Sequence, residues 1–348
     1  MTHVVDNATE GALGSPAHAP SAGMVSVWRR SPLLVGFRLL LAAMLAAVLL
    51  LLEIYAPHFF RANNLLNVLL QASVLGVLAI GMTFVMVSGG IDLSMPATMA
   101  FGAVLGGLVM HGQPDRIALG TLVMLGVPLA IGTFNGIAVA YMRMLPFVVT
   151  LATMTVVGGA TVWITNSRTV EGFPDGFLDT LSSRPGGLPV AVLALVVLVA
   201  AASVVARRTR YGQWVMALGI SERAARVARV PAKAVLFSTY LLAGLMAGLA
   251  AVLLTGRLGS ASANMGADVI VLDIVSSCVV GGVSIYGGIG HPLGSVGGAV
   301  FITLISNVLN ALGVSFYVTL IVKGVVIILF IAVDNLTRAA ARSARMGA

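Results

Sequence analysis

Few residues in this chain could do chemistry, and those few lie in apolar surroundings. Residues 84–97 read FVMVSGGIDLSMPA, which puts the carboxylate of Asp92, two glycines and a proline inside a hydrophobic run. Asp273 and Lys323 are the other ionisable groups set in long apolar stretches. Charged side chains in such places mark ion or solute routes more often than covalent chemistry. No G-x-x-x-x-G-K-[ST] sequence is present to cradle a nucleotide phosphate, and no G-x-S-x-G nucleophile turn. His3, His18, His58, His111 and His291 are scattered, and the single cysteine, Cys278, sits in an apolar stretch. Neither pattern has metal-ligand spacing, so we expect no cofactor, no metal and no enzyme activity in the chain itself. Neutral hydrogen-bonding side chains inside apolar segments are the better candidates for handling a polar solute. These are Gln71, Asn135, Ser276, Asn307 and Asn310, with Asn67 and Gln71 at i, i+4 and Asn307 and Asn310 at i, i+3. The same residues could equally join helices to one another.

The elements that must position these residues are membrane helices. The chain has 348 residues, mean hydropathy +1.03, 59% hydrophobic and only 9% charged residues. A soluble domain carries about 25% charged residues. The composition therefore indicates an all-α, polytopic membrane protein, and about ten transmembrane helices fit the apolar runs. We place them at 36–55, 65–87, 93–111, 117–142, 146–166, 188–206, 234–256, 269–287, 292–313 and 316–334. With the N-terminus inside, fourteen cations fall on the inner face: Arg29, Arg30, Arg38, Arg143, Arg207, Arg208, Arg210, Arg223, Arg226, Arg229, Lys233, Arg338, Arg342 and Arg345. Five fall outside: Arg61, Arg116, Arg168, Arg184 and Arg257. This asymmetry predicts a multi-pass protein of a bacterial plasma (inner) membrane with both termini cytoplasmic. The net charge of +8 is sorted by loop rather than gathered on one surface, which excludes a nucleic-acid module.

Residues 1–30 read as a disordered cytoplasmic tail, 31–335 as the transmembrane domain and 336–348 as a basic cytoplasmic tail. Two connections are long. The outer one, 167–187, should be a compact loop with a short interfacial helix at 175–181. The inner one, 207–233, contains ERAARVAR, which reads as a short amphipathic helix capped by Ser221 and suited to docking a cytoplasmic partner or a headgroup surface. An inverted repeat is also legible: VMVSGG at 85–90 aligns with VLLTGR at 252–257, and Gly81 with Gly248, at one offset. A rival alignment sets Gly89-Gly90-Ile91 on Gly287-Gly288-Ile289. In SGGIDLS, the glycines let the chain turn, and Asp92 or Ser94 can cap the next helix. Ser88, Gly89, Gly90 and Asp92 then either form a capped break or line a translocation route, since non-helical backbone at membrane depth must face protein or water.

GMTFVMVSGGIDLS (81–94) resembles the hallmark of the permease subunits of ribose-type ABC sugar importers, in the branched-chain amino acid/ribose permease superfamily. Further matches follow in the same order: NGIAVAYMRMLPFVVTLATM (135–154), TVEGFPDGF (169–177), RYGQWVMALGISERAARVARV (210–230), LLAGLMAGLAAVLL (241–254), GRLGSA (256–261), GGVSIYGGIG (281–290) and IVKGVVIILFIAVD (321–334). The resemblance covers about residues 36–335. It implies the membrane half of an ABC importer for a monosaccharide such as ribose, xylose or galactose. The same machinery carrying a nucleoside, polyol or amino acid is the alternative, with an ion-coupled carrier further behind. It also implies partners: an ABC ATP-binding subunit, a periplasmic or extracellular solute-binding protein, and a second permease copy in a homodimer or heterodimer, all in a lipid bilayer. By the same resemblance the inner loop contacts the ATPase through Tyr211, Gly212, Ala217, Gly219, Glu222, Ala224, Ala225 and Arg226. Arg229 stands where the family has glycine, and Met95-Pro96 where Val-Gly is common. Val271, Ile289 and Gly158 stand where charged residues are expected, as if a second, different permease supplied the missing groups.

Overall fold

The computed structural model describes residues 54, 59–266, 268–329 and 332. The expected span at 36–55 and both tails lie outside the described residues. From His58 onward the chain forms one unit. Its α-helices, numbered here in order, are α1 Ala62–Val87, α2 Met95–Met110, α3 Ile117–Ala140, α4 Pro146–Thr165, α5 Asp175–Ser182, α6 Val190–Arg208, α7 Arg210–Ile220, α8 Glu222–Val227, α9 Ala232–Leu258, α10 Asp268–Val280, α11 Pro292–Ala311 and α12 Phe316–Leu329. Among the described residues seven helical segments are long and apolar enough to cross a membrane, and α2 and α12 are shorter apolar helices. The all-α, polytopic class is as expected.

The core is built on α1, buried almost throughout from Val68 to Val87. α9 packs on it, and α3 packs on α9. The α3–α9 approach rests on small residues: Gly132 meets Gly244, while Gly136 lies on Phe237 and Tyr240, and Gly248 on Met124 and Leu125. A Cβ on Gly244 would lie 2.5 Å from the Pro128 carbonyl oxygen, and one on Gly132 would lie 2.6 Å from that of Tyr240. Such contact lets backbones meet where lipid offers no hydrophobic drive. Elsewhere large apolar side chains point outward, among them Val156, Trp163, Val197 and Ile321, as a lipid-facing surface requires.

Connections expected on one face touch one another. On the inner side the Gly288 N–H donates to the Val87 carbonyl (2.8 Å), Gly219 packs on the same pair, and the Lys233 ammonium lies 6.0 Å from the Tyr141 ring centroid. On the outer side Val170 and Ala261 exchange two backbone hydrogen bonds (2.7 and 2.9 Å), Phe173 lies on Gly107, and Leu181 on Gly256. These contacts sort the helix ends into two sets, as neighbouring helices of opposite direction would.

Two parts of the chain share one element order. α1 and α9, of 26 and 27 residues, are each followed by a non-helical stretch and a short helix, α2 of 16 residues and α10 of 13. Neither alignment is matched residue by residue: Thr255, Gly256 and Arg257 are helical where Ser88, Gly89 and Gly90 form a turn, and Gly287 and Gly288 follow a short helix rather than a long one. Two boundaries differ from expectation. The segment 269–287 is helical only to Val280, because Gly282, Gly287 and Gly288 take positive φ (86°, 85° and 76°). The inner loop folds as two helices, α7 and α8, rather than one. The expected outer helix is present as α5.

Candidate functional site

The break after α1 explains its own composition. With Gly89 at φ 90°, the Gly89 N–H donates to the Met86 carbonyl and the Gly90 N–H to the Val85 carbonyl, both at 2.9 Å. That is a Schellman ending, which satisfies carbonyls that would otherwise be stranded. The chain then rises into the bundle before α2 starts. Asp92 is 2% exposed, and its Oδ1 accepts from the Ser94 N–H (2.9 Å) and the Ser94 hydroxyl (2.6 Å). Asn135 Nδ2 donates to Ser94 Oγ (2.9 Å), and the Thr153 hydroxyl donates to Asn135 Oδ1 (2.7 Å). A buried polar chain therefore links the break to α3 and α4, and a fully satisfied network of this kind holds one arrangement. The Thr150 hydroxyl adds a bond to the Ile91 carbonyl (3.3 Å), and Ser88 and Thr239 share one at 3.4 Å. The Tyr240 hydroxyl lies against Gly90 and has no partner among the described residues.

In the connection expected inside, α7 and α8 form a docked pair. The Thr209 hydroxyl caps α7 at the Gly212 N–H (3.4 Å), and the Ser221 hydroxyl caps α8 at the Ala224 N–H (3.2 Å). Gly219 comes so close to the Val87 carbonyl and Gly288 N–H that no side chain fits. Gly212 sits equally tightly on Ala206. The Ser238 hydroxyl donates to Tyr211 Oη (2.9 Å), and burial raises the Tyr211 phenol above its ordinary range, outweighing the pull of Ser238. These residues anchor the loop to its own chain. What remains outward is Ile220 and Val227, 73% and 82% exposed, with Glu222, Arg223, Ala224 and Arg226 between them. Arg226 Nε donates to Glu222 Oε1 (3.1 Å) along the helix. Ala225, expected on the partner-facing side, is 2% exposed and turned into the protein.

Residues 64–331 match the family described as branched-chain amino acid transport system / permease component. The chain belongs to this permease family. The permease is 36% identical to the ribose import permease protein RbsC of Escherichia coli (strain K12) over 302 residues, 84% of this chain and 92% of that protein. It is 34% identical over 291 residues to RbsC of Bacillus subtilis (strain 168), covering 83% and 89% of the two chains. It is 32% identical over 298 residues to the galactose/methyl galactoside import permease protein MglC of Escherichia coli (strain K12), covering 80% and 88%. No solved structure matches.

The remaining polar candidates of the permease fall in other places. Asn64 on α1 donates to Asn307 Oδ1 on α11 (3.2 Å), which brings Asn67, Gln71, Asn307 and Asn310 to one outer end of that helix pair. Asn67 and Asn310 are exposed there, Gln71 and Asn307 partly so. Asn64 was not singled out in the sequence, although it continues the Asn67/Gln71 stripe. Ser276 is buried and returns its hydroxyl to the Leu272 carbonyl of its own helix. Asp273 and Lys323 meet across α10 and α12, with Nζ 3.1 and 2.9 Å from the two carboxylate oxygens. Mutual neutralisation lets both charges stay inside the protein.

Proposed function

We propose that this permease is the membrane subunit of an ABC importer that carries a monosaccharide such as ribose, xylose or galactose into the cytoplasm. The observation that carries this is identity of about one third to ribose and galactose import permeases over four-fifths of the chain. The amides at the outer end of α1 and α11 supply donors and acceptors suited to sugar hydroxyls, as Asn and Gln carry both. In this reading solute enters past Gln71, Asn307 and Asn310, and the break at Ser88, Gly89, Gly90 and Asp92 is the inner constriction. Energy comes from a separate ATP-binding subunit seated on the face of α8, cargo from an external solute-binding protein, and a second permease copy completes the route. Both termini lie in the cytoplasm. ATP-driven closure of the ATPase pair moves α7 and α8, and the packing of Gly219 on Val87 and Gly288 passes that motion to the inner ends of α1 and α11.

A second reading, an amino acid as solute, is favoured by the description of the matched family. Uptake of D-ribose, D-xylose, D-galactose and L-leucine by the reconstituted complex separates the two. We expect uptake of at least one sugar and none of leucine. Leucine uptake without sugar uptake would reverse the assignment.

A further inference from the structure

The connection between α9 and α10 begins where an outer loop should, with Ala261 paired to Val170. Five residues later Gly266 lies on the first turns of α2, where a Cβ would come within 2.8 Å of the Pro96 carbonyl oxygen, 2.9 Å of Ala97 Cα and 3.0 Å of Ala100 Cβ. α2 meets the outer loop at Gly107, near its C-terminal end, where Phe173 and Val170 lie. At 1.5 Å per helical residue, positions 96–100 stand about 10–16 Å deeper than that contact. Two extended steps to Ala263 and a 3-10 turn rising about 2 Å per residue reach about 13 Å, so the chain must head inward to arrive there. It then packs against α2 and α4 as the short 3-10 turn Ala263–Gly266.

Non-helical backbone at this depth survives only against protein or a wet cavity. Met265 is buried, while its neighbour Asn264 is exposed and Ser262 partly so. A primary amide left open to hydrocarbon would forfeit its hydrogen bonds at a cost of about 2–7 kcal/mol. An open Asn264 therefore faces water. We propose that residues 262–266 form a wall of the aqueous route at membrane depth, and that the Asn264 amide contacts solute hydroxyls there. The wall stands on the geometry; the sugar contact rests also on the monosaccharide reading.

The test uses the reconstituted importer complex in a Cys278→Ala background, since Cys278 is itself fully buried. Asn264→Cys, the outer-loop control Glu171→Cys and the lipid-facing control Val197→Cys are each treated with a cationic methanethiosulfonate. We expect Asn264→Cys to react within about tenfold of Glu171→Cys and at least about a hundredfold faster than Val197→Cys, because only water delivers the reagent and ionises the thiol. A rate no faster than that of Val197→Cys would overturn the wall. Asn264→Leu should cut D-ribose uptake at least about tenfold, with Asn264→Gln keeping most of it, at unchanged complex assembly and ATP hydrolysis. Uptake by Asn264→Leu within about twofold of wild type would overturn the contact. Failure of the wild type to take up any sugar would remove the contact together with the monosaccharide assignment, while the cysteine rates would still decide the wall.

Discussion

Asp92 owes its place to a local bond and its consequence to a distant one. Its Oδ1 accepts two donors of Ser94, and Ser94 in turn accepts from Asn135. Asp92→Asn keeps an acceptor but loses the charge, so it should cost about 1 kcal/mol of stability. Asp92→Leu strands a buried N–H and a hydroxyl and should cost about 3 kcal/mol or more. Thermal unfolding in detergent orders the two; equal losses would show that the carboxylate's bonds are not what holds the break. Arg229 offers the opposite sign. It sits at φ 58°, the left-handed region, where glycine suffers no Cβ clash. That conformation would suit the glycine the resemblance leads one to expect there, and Arg229→Gly should stabilise the inner loop by about 1 kcal/mol, read as a raised unfolding midpoint. The bond of Asp92 to Ser94, two positions on, is local, but it precedes α2 and does not cap it: the helix start has no side-chain cap bond, contrary to what was expected of Asp92 or Ser94. The pairing of Lys323 with Asp273, fifty positions apart, left no local trace; only the oddity of each charge in an apolar run pointed to it.

Helices were legible where their apolar runs are long, and less so where elements are short. α8 spans six residues, too few turns for ERAARV to set its rotation, and Ala225 consequently points inward while Ala224 points out. The inner loop's two faces have different jobs, which a pair of substitutions distinguishes. Ala224→Trp should leave the isolated permease within about 0.5 kcal/mol of wild type, as exposed substitutions do, yet abolish transport by blocking the partner surface. Ala225→Trp should destabilise the permease itself by about 1–3 kcal/mol, because its site is already filled. Normal uptake by Ala224→Trp would remove α8 from the coupling surface. The descent of residues 259–266 was not legible for a different reason: GSASANMG has the small and polar residues of any surface turn, and nothing local encodes its depth.

At the scale of the molecule, two long helices of opposite direction each lead into a break and a short helix, and the breaks approach each other beside residues 96–100. Within the described residues, charge sorting by loop and the two sets of loop contacts agree on which ends of the helices lie together. Among the described residues the carboxylates inside are held by named bonds: Asp273 by Lys323, and Asp92 by Ser94. Such an interior suits a protein moved from outside the membrane rather than by an ion passing through it. The most direct test is accumulation of radiolabelled D-ribose by proteoliposomes with the solute-binding protein outside and the ATP-binding subunit attached. Uptake should require ATP in the compartment facing α8 and persist when a protonophore and a sodium ionophore collapse ion gradients. Concentration of sugar by the permease alone, driven by an ion gradient without nucleotide, would contradict it.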